Sequence, residues 1–181
     1  CIFGQSGLFL YFAQKIVMQK IGLISDTHGS LHPKIASFLK ECNQIWHAGD
    51  IGSMDVAEQL RKIAPLKAVH GNIDGQGLRM IFPEHQVFMC EEVKVYMTHI
   101  GGYPGKYEPK ALKRIQKEKP RIFISGHSHI LKVINDHAHN LLHMNPGAAG
   151  NFGYHQKRTA IRFEIDGSNI RELEVLEVPR R

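Results

Sequence analysis

Residue types that bind metal ions follow several predicted strands in this sequence. The segment ISDTHGS ends an apolar run and places Asp26 and His28 two residues apart. Asp, Thr, His, Gly and Ser are also common turn residues, so this pair alone is weak evidence for a metal site. The further candidates follow four later apolar runs, and they are Asp50 in HAGD, Asn72 in HGNID, His99 in YMTH, and His127 and His129 in GHSH.

The donor atoms of these side chains suit borderline divalent cations. Two carboxylates, one amide oxygen and four imidazoles make a mixed oxygen and nitrogen set. Such a set favours Mn, Fe, Zn, Co or Ni over Ca, which prefers oxygen ligands alone. Seven ligands are more than one site with open positions requires, so we expect two ions that share one carboxylate.

The elements that must position these side chains alternate between strands and helices in the first half of the chain. KIGLIS, QIWHA and LKAVHGN are predicted strands, and HPKIASFLKEC and SMDVAEQLRKI are predicted helices. This alternation is typical of a largely parallel sheet. Because ligands of open α/β sheets bind beyond the carboxyl ends of the strands, we expect the candidates to meet at one edge.

The second half of the chain is richer in strands. HQVFMCEEVKVYMTH predicts two strands joined by a tight turn near Glu91 and Glu92, and EPKALKRIQKEK predicts a helix that Pro120 ends. RIFISGHSH predicts a strand and a turn. Four more strands are predicted, in ILKVIND, NLLHMN, RTAIRFEI and IRELEVLE. We therefore expect a second sheet packed on the first.

The composition is that of a soluble globular protein. The 181 residues, 43% hydrophobic and 22% charged, suffice for one substantial core and are too few for two comfortable domains. Three scattered Cys argue against a disulfide framework or a thiolate zinc site. The net charge of +6 favours partners that carry phosphate, but no dense Lys/Arg block indicates a dedicated nucleic-acid surface.

Residues 1–17 precede the first predicted strand and contain the apolar run GLFLYFA. This run is too short to cross a membrane, and the features of a signal peptide are weak. Met18 lies two residues before the first strand. We expect translation to start naturally at Met18, residues 1–17 to be an upstream extension, and residues 18–181 to form a single cytoplasmic domain.

The ordered motifs Asp-x-His, Gly-Asp, Gly-Asn, His and Gly-His-x-His resemble those of the calcineurin-like metallophosphoesterase superfamily. The short length and the later NPGA segment are similar to its small branch of YfcE-type phosphodiesterases. The resemblance covers about residues 19–166. It implies an α/β fold, a four-layer αββα sandwich of two mixed β-sheets flanked by helices.

The resemblance also implies how two divalent ions are held. One ion would bind two carboxylates and two imidazoles, those of Asp26, His28, Asp50 and His129. The other would bind Asp50, Asn72, His99 and His127, so that Asp50 bridges the two. Manganese is the expected metal, with Ni, Fe, Co or Zn as alternatives.

The activity implied is hydrolysis of a phosphodiester, either a small molecule or a nucleotide, by a water or hydroxide that bridges the metal ions. The catalytic residues would be Asp50, Asn72 and His99. The analogy also suggests a homo-oligomer and no membrane partner, and nucleic acid is expected only as a substrate.

One departure from the family pattern affects proton transfer. Many members have a His directly after Gly-Asn, which resembles a general acid, whereas this chain has Ile73. His70 is a possible substitute, although a predicted strand position favours a structural role. We therefore expect a preference for good leaving groups or a proton taken from water. Asp74 either orients a ligand His or caps a turn.

Other functions and roles stay open from the sequence. A trafficking subunit of the retromer coat resembles the same branch and uses the fold as a binding surface, so a non-catalytic scaffold is the main alternative. The filled ligand positions favour catalysis, and a nucleic-acid-binding module rests on charge alone. His47 and His143 are predicted to be structural, while Asn145 in NPGA either belongs to the site or forms a plain turn.

Overall fold

The computed structural model describes residues 18–180, and the expected upstream extension, residues 1–17, lies outside the described residues. The helices are α1 (Pro33–Leu39), α2 (Met54–Ile63), α3 (Gln76–Ile81) and α4 (Pro109–Glu118). The first eight strands are β1 (Gln19–Ile24), β2 (Gln44–His47), β3 (Leu66–Ala68), β4 (His85–Cys90), β5 (Val93–Thr98), β6 (Gly102–Tyr103), β7 (Lys106–Tyr107) and β8 (Ile122–Ile124). The last four are β9 (Leu131–Asp136), β10 (Leu141–Pro146), β11 (Lys157–Asp166) and β12 (Asn169–Pro179).

Ten of these strands form two five-stranded mixed sheets. The first sheet has the order β12-β11-β1-β2-β3, and the second has the order β4-β5-β8-β10-β9. Strands β1, β2 and β3 run parallel, as do β5, β8 and β10. The carboxyl ends of both parallel sets therefore supply the loops that carry the candidate side chains.

The strand pattern explains why the sheets stack. Alternate residues of β1 point to opposite faces: Ile21 and Leu23 join the apolar layer between the sheets, and Ile24 joins the layer beneath α1 and α2. Helix α4 covers the other sheet through Ala111 and Ile115. The expected four-layer sandwich of two mixed sheets and flanking helices is confirmed.

Close approach of α1 to the first sheet depends on one glycine. A Cβ at Gly22 of β1 would lie 2.3 Å from Cδ2 of Leu39 and 3.1 Å from Sγ of Cys42. The helix ends at Leu39 rather than continuing to Cys42 as the periodicity predicted. The chain must turn there to enter β2, and the Asn43 side chain accepts a hydrogen bond from the Lys20 backbone N–H at 2.7 Å.

Several local predictions agree with the structure. Ser53 caps α2 by accepting a hydrogen bond from the Val56 backbone N–H, and the turn between β4 and β5 lies at Glu91 and Glu92. Helix α3 and the short β6–β7 hairpin were not predicted. None of the described helices is both long and apolar enough to cross a membrane.

Candidate metal centre

The candidate side chains project from tight loops that follow strands of both sheets. Five of them have left-handed backbone with φ between 46° and 66°, namely Asp26, His28, Asp50, His127 and His129. Left-handed φ is uncommon for residues other than glycine, although Asp and His adopt it more readily than β-branched residues. The surrounding loops must hold these residues in place, because such conformations cost about 1–3 kcal/mol each.

A first group consists of Asp26, His28 and His129, whose donor atoms lie within 4.8 Å of one another. Nε2 of His129 is 3.1 Å from Oδ1 of Asp26 and 3.3 Å from Nε2 of His28. Burial lowers the pKa of His28, which favours the neutral imidazole that binds metal. Three donors from two separate loops therefore point at one position.

A second group consists of Asp50, His99 and His127, again with donor atoms within 4.8 Å of one another. Nε2 of His99 lies 3.3 Å from Oδ1 of Asp50 and 3.1 Å from Oδ1 of Asn72. Asn72 therefore adjoins this group and can add an amide oxygen to it. All the side chains singled out in the sequence meet at one edge of the sandwich.

Asp50 lies between the two groups. Its Oδ2 is 3.8 Å from Nε2 of His28, while its Oδ1 is 3.3 Å from Nε2 of His99. Burial alone would raise the pKa of this carboxyl, but contact with His99 and the Ile73 backbone N–H holds it below the usual range. The Asp50 carboxylate is thus ionised and presents one oxygen to each group.

Asp26 provides a test of whether metal ions fit here. Its side chain is fully buried, and its Oδ1 makes no hydrogen bond of good geometry with the described residues, although Nε2 of His129 lies 3.1 Å away. A buried carboxylate oxygen whose hydrogen bonding is unsatisfied is costly, and a cation bound between it and the imidazoles would remove that cost. The orphaned oxygen and the mixed oxygen and nitrogen donors both fit divalent cations.

Backbone groups orient the imidazole of His99. Its Nδ1 lies 2.8 Å from the carbonyl oxygen of Ala48. Donation from Nδ1 to that carbonyl fixes the ring so that Nε2 faces Oδ1 of Asp50 and Oδ1 of Asn72, and a cation held among these atoms would meet the Nε2 lone pair. Two glycines permit this packing, since a Cβ would lie 2.6 Å from Nδ1 of His99 at Gly49 and 2.0 Å from Oδ1 of Asp50 at Gly71.

Asp74 caps backbone rather than orienting a ligand histidine. Its Oδ1 accepts from the Gly52 N–H at 2.7 Å, and its Oδ2 accepts from the N–H groups of Ile51 and Gly71 at 3.2 and 2.8 Å. The side chain therefore ties the loop after β2 to the loop after β3. Of the two roles open from the sequence, these contacts support the capping role.

Asn145 belongs to the framework of the site. Its amide donates to the Gly126 carbonyl at 2.9 Å and to the Ser128 hydroxyl at 3.1 Å, and its oxygen accepts from the Gly147 N–H. These bonds hold the loop that carries His127 and His129. Asn145 therefore positions that loop and is more than a plain turn residue.

His47 has the structural role that its position predicted. It is fully buried, its Nε2 lies 2.9 Å from the Thr27 hydroxyl oxygen, and its Nδ1 accepts from the Gly49 N–H at 3.1 Å. Burial lowers its pKa to about 4, so the ring is neutral at physiological pH.

Ile73 stands where the family pattern has a general acid, and His70 is the possible substitute. The Ile73 backbone N–H donates to Oδ1 of Asp50 at 3.1 Å, while its apolar side chain is 46% exposed. His70 lies beyond the end of β3 rather than within a strand, and it shares a recess of about 300 Å³ with Asn72 and His99.

Two aromatic residues that the sequence reasoning missed cover the first group. The Phe152 ring centroid lies 5.1 Å from that of His28, and the His155 centroid lies 5.2 Å from that of His129. Both belong to the loop between β10 and β11, which Arg180 fastens by donating to the His155 carbonyl at 2.8 Å. No local pattern in that loop indicated these contacts.

Comparison with known proteins identifies the family. Residues 19–168 match the sequence profile of the Calcineurin-like phosphoesterase superfamily domain. The chain belongs to this superfamily. It is 29% identical over 137 residues to a probable metallophosphoesterase of Methanothermobacter thermautotrophicus, covering 71% of this chain and 76% of that protein. The resemblance seen in the sequence is thus confirmed.

Solved structures of low sequence identity share the fold. Vacuolar protein sorting 29 from Cryptosporidium parvum superposes with a TM-score of 0.69 at 20% identity, covering 90% of this chain and 98% of the other. A predicted phosphoesterase from Streptococcus pneumoniae superposes with a TM-score of 0.65 at 21% identity, covering 91% of each chain. These two structures therefore share the architecture of this chain.

Proposed function

We propose that this protein is a phosphodiesterase that uses two divalent metal ions. The observation that carries the proposal is the position of Asp50, whose two carboxylate oxygens face different groups of donors. Manganese is the favoured ion, with Ni, Fe, Co or Zn as alternatives, because the donors are mixed oxygen and nitrogen. Cys42 and Cys90 are free and buried, in keeping with a reducing cytoplasm.

Each ion would be held by four side chains. The first set is Asp26, His28, Asp50 and His129. The second set is Asp50, Asn72, His99 and His127. When bound, such ions polarise phosphoryl oxygens and lower the pKa of a water that acts as nucleophile.

The protein side chains prepare the site for this chemistry. Asp50 contributes a shared negative charge, and His99 presents a fixed Nε2 because its Nδ1 is engaged by the Ala48 carbonyl. Asn72 is exposed beside His99, so its amide lies where an entering phosphodiester contacts the site. These three residues are the ones we assign to catalysis.

Departure of the leaving group is the step that the residue at position 73 does not assist. The side chain of Ile73 has no ionisable group, so that position offers no general acid, a role typically worth about 10²–10⁴-fold in rate. We therefore propose that activated diesters, whose leaving groups depart without protonation, are the better substrates.

A metal titration of the phosphodiesterase activity tests the proposal. Protein stripped with a chelator is supplied with Mn, Ni, Co, Zn or Mg, and hydrolysis of bis(p-nitrophenyl) phosphate is measured beside metal content. Wild type is expected to bind two ions per chain and to hydrolyse the diester. Asp50→Asn is expected to lose both, whereas Asp55→Asn, on the surface of α2, keeps both.

A second candidate function is a non-catalytic scaffold. It is favoured by the likeness to vacuolar protein sorting 29, a protein named for sorting rather than for an enzymatic activity. The same titration separates the two functions. Wild-type hydrolysis that is metal-independent, or no greater than that of Asp50→Asn, would reject the phosphodiesterase and favour the scaffold.

A further inference from the structure

The guanidinium of Arg79 on α3 is held in place by backbone oxygens. Its Nε donates to the Asp74 carbonyl at 2.6 Å, and its Nη2 donates to the carbonyls of Gly71 and Asn72 at 2.9 and 3.0 Å. These three bonds fix the plane of a long side chain that is otherwise exposed. The three carbonyls belong to the loop that carries Asn72, so the cation is anchored on the same loop as a proposed metal ligand.

The positive charge of this guanidinium is not matched by a carboxylate. Arg79 makes no ion pair within the described part of the chain, and its Nη1 makes no hydrogen bond there. The carboxylate of Asp74 is already engaged by three backbone N–H groups. Because carbonyl oxygens satisfy donors without cancelling the charge, Arg79 can offer an anion both a free donor and a full positive charge.

Arg79 lies on the open side of the proposed metal centre. It lines the recess of about 300 Å³ beside the second group, together with Asn72 and His99. Glu84 also lines this recess, but its carboxylate lies 3.6 Å from Nε2 of His85 and forms no ion pair with Arg79. A recess of this size can hold a small substituent of an ester. A phosphodiester at the metal centre can therefore direct one ester oxygen toward the guanidinium.

We propose that Arg79 contacts the leaving group of the phosphodiester and stabilises the negative charge that develops on its oxygen. The inference rests on the proposed function and adds a catalytic residue to it. When the bond from phosphorus to the leaving oxygen breaks, the electron pair stays on that oxygen and accepts a charge-assisted hydrogen bond from the guanidinium. Arginine does not release its proton in proteins, so the anion departs unprotonated and takes a proton from solvent.

A series of aryl methyl phosphates, from p-nitrophenyl to phenyl, tests this role. In Arg79→Gln we expect kcat/KM of the holoenzyme to fall about 10²-fold for the phenyl ester, the scale for loss of one donor to a developing oxyanion. The fall for the p-nitrophenyl ester should be about tenfold or less, because that leaving group needs less stabilisation. The rate should therefore depend more steeply on the basicity of the leaving group than in wild type.

Two further variants separate the charge of Arg79 from its bonds to the loop. Arg79→Lys keeps the charge and should remain closer to the wild-type dependence. Arg114→Gln removes an exposed arginine from α4 and should leave that dependence unchanged. A fall by the same factor for every ester, or loss of bound metal in Arg79→Gln, would show that Arg79 only holds the loop and would overturn the proposal.

A measurement without catalysis tests the contact itself. Dimethyl phosphate, a diester with poor leaving groups, is added to Zn-loaded protein while the side-chain N–H signals of Arg79 are followed by NMR. A saturable shift that Arg114→Gln retains is expected, and its absence would overturn the contact whatever the rates.

The failure of this inference is distinguishable from failure of the proposed function. An active wild type with the same dependence on the leaving group as Arg79→Gln would reject the role of Arg79 alone. No metal-dependent hydrolysis of any ester by wild type would reject the phosphodiesterase, and the leaving-group role with it.

Discussion

The first and second groups present the same donor types in different surroundings. Phe152 and His155 cover the imidazoles of the first group, whereas His127 and Asn72 of the second are exposed. The second group also adjoins two recesses, of about 330 and 300 Å³. The covered group is suited to holding an ion firmly, and the open group is suited to meeting the substrate.

The largest effect on activity is expected from a change beside Asp50, the residue that lies between the two groups. In Gly71→Ala the new Cβ would lie 2.0 Å from Oδ1 of Asp50 and displace that carboxylate. We expect kcat/KM for bis(p-nitrophenyl) phosphate to fall at least about 10²-fold, as misplacement by an ångström commonly does. In Gly75→Ala a Cβ meets no described atom within 4 Å, so activity should be unchanged.

Equal activity of these two glycine variants would mean that hydrolysis does not depend on the observed position of the Asp50 carboxylate. The idea that one carboxylate joins the two groups would then fail. Circular dichroism and thermal melting of both variants show whether any loss of activity reflects unfolding instead.

Ile73→His tests whether the open group lacks a proton donor. A histidine there should speed hydrolysis of phenyl diesters by about 10-fold or more, within the usual range for a general acid. Hydrolysis of p-nitrophenyl diesters should change less, because that leaving group departs unaided. Steady-state rates on matched diesters give the comparison, and equal or lower rates on both would contradict it.

Phe152→Ala tests the covered group. Loss of the ring removes the contact with His28. We expect the Kd of one of the two proposed ions to rise by up to about tenfold, which is the usual scale for residues that support a metal ligand. Isothermal titration calorimetry with Mn measures this Kd. Tyr154→Ala, in the same loop but fully exposed, is the control. An equal loss of Mn affinity in both variants would contradict the distinction between covered and open groups.

The smallest effect on activity at neutral pH is expected from His143, which lies outside both groups. Its pKa of about 4 in the folded state is below the unfolded value near 6.5. The unfolded state binds more protons between these values, so stability falls as the pH is lowered from about 6.5 to 4. His143→Leu should reduce that slope by up to about 1.4 kcal/mol per pH unit.

Urea unfolding at several pH values measures this slope. Ile134→Val, which pairs with His143 across β9 and β10 and changes no titratable group, serves as the control and should leave this slope unchanged. A slope that is the same in His143→Leu and wild type would show that the buried ring is not neutral in the folded protein.

The sequence predicted the convergence of the site because parallel strands share a direction. Asp26, Asp50 and Asn72 each follow a strand of the first sheet, so strand prediction alone places them together. The contacts of Phe152 and His155 depend on how a long loop folds back over the sheet ends, which no local pattern encodes. Helix α3 and the β6–β7 hairpin were missed because short elements carry little periodic signal.

The left-handed backbone of the loops also bears on what sequence change the fold tolerates. At positions such as His28, His127 and His129 glycine or asparagine would relieve conformational strain at no cost to the sheets. A related protein that does not bind metal ions would thus gain stability by having glycine or asparagine at these positions. Histidine at these positions is unfavourable for the backbone, which is in keeping with the proposed role of the imidazoles as metal ligands.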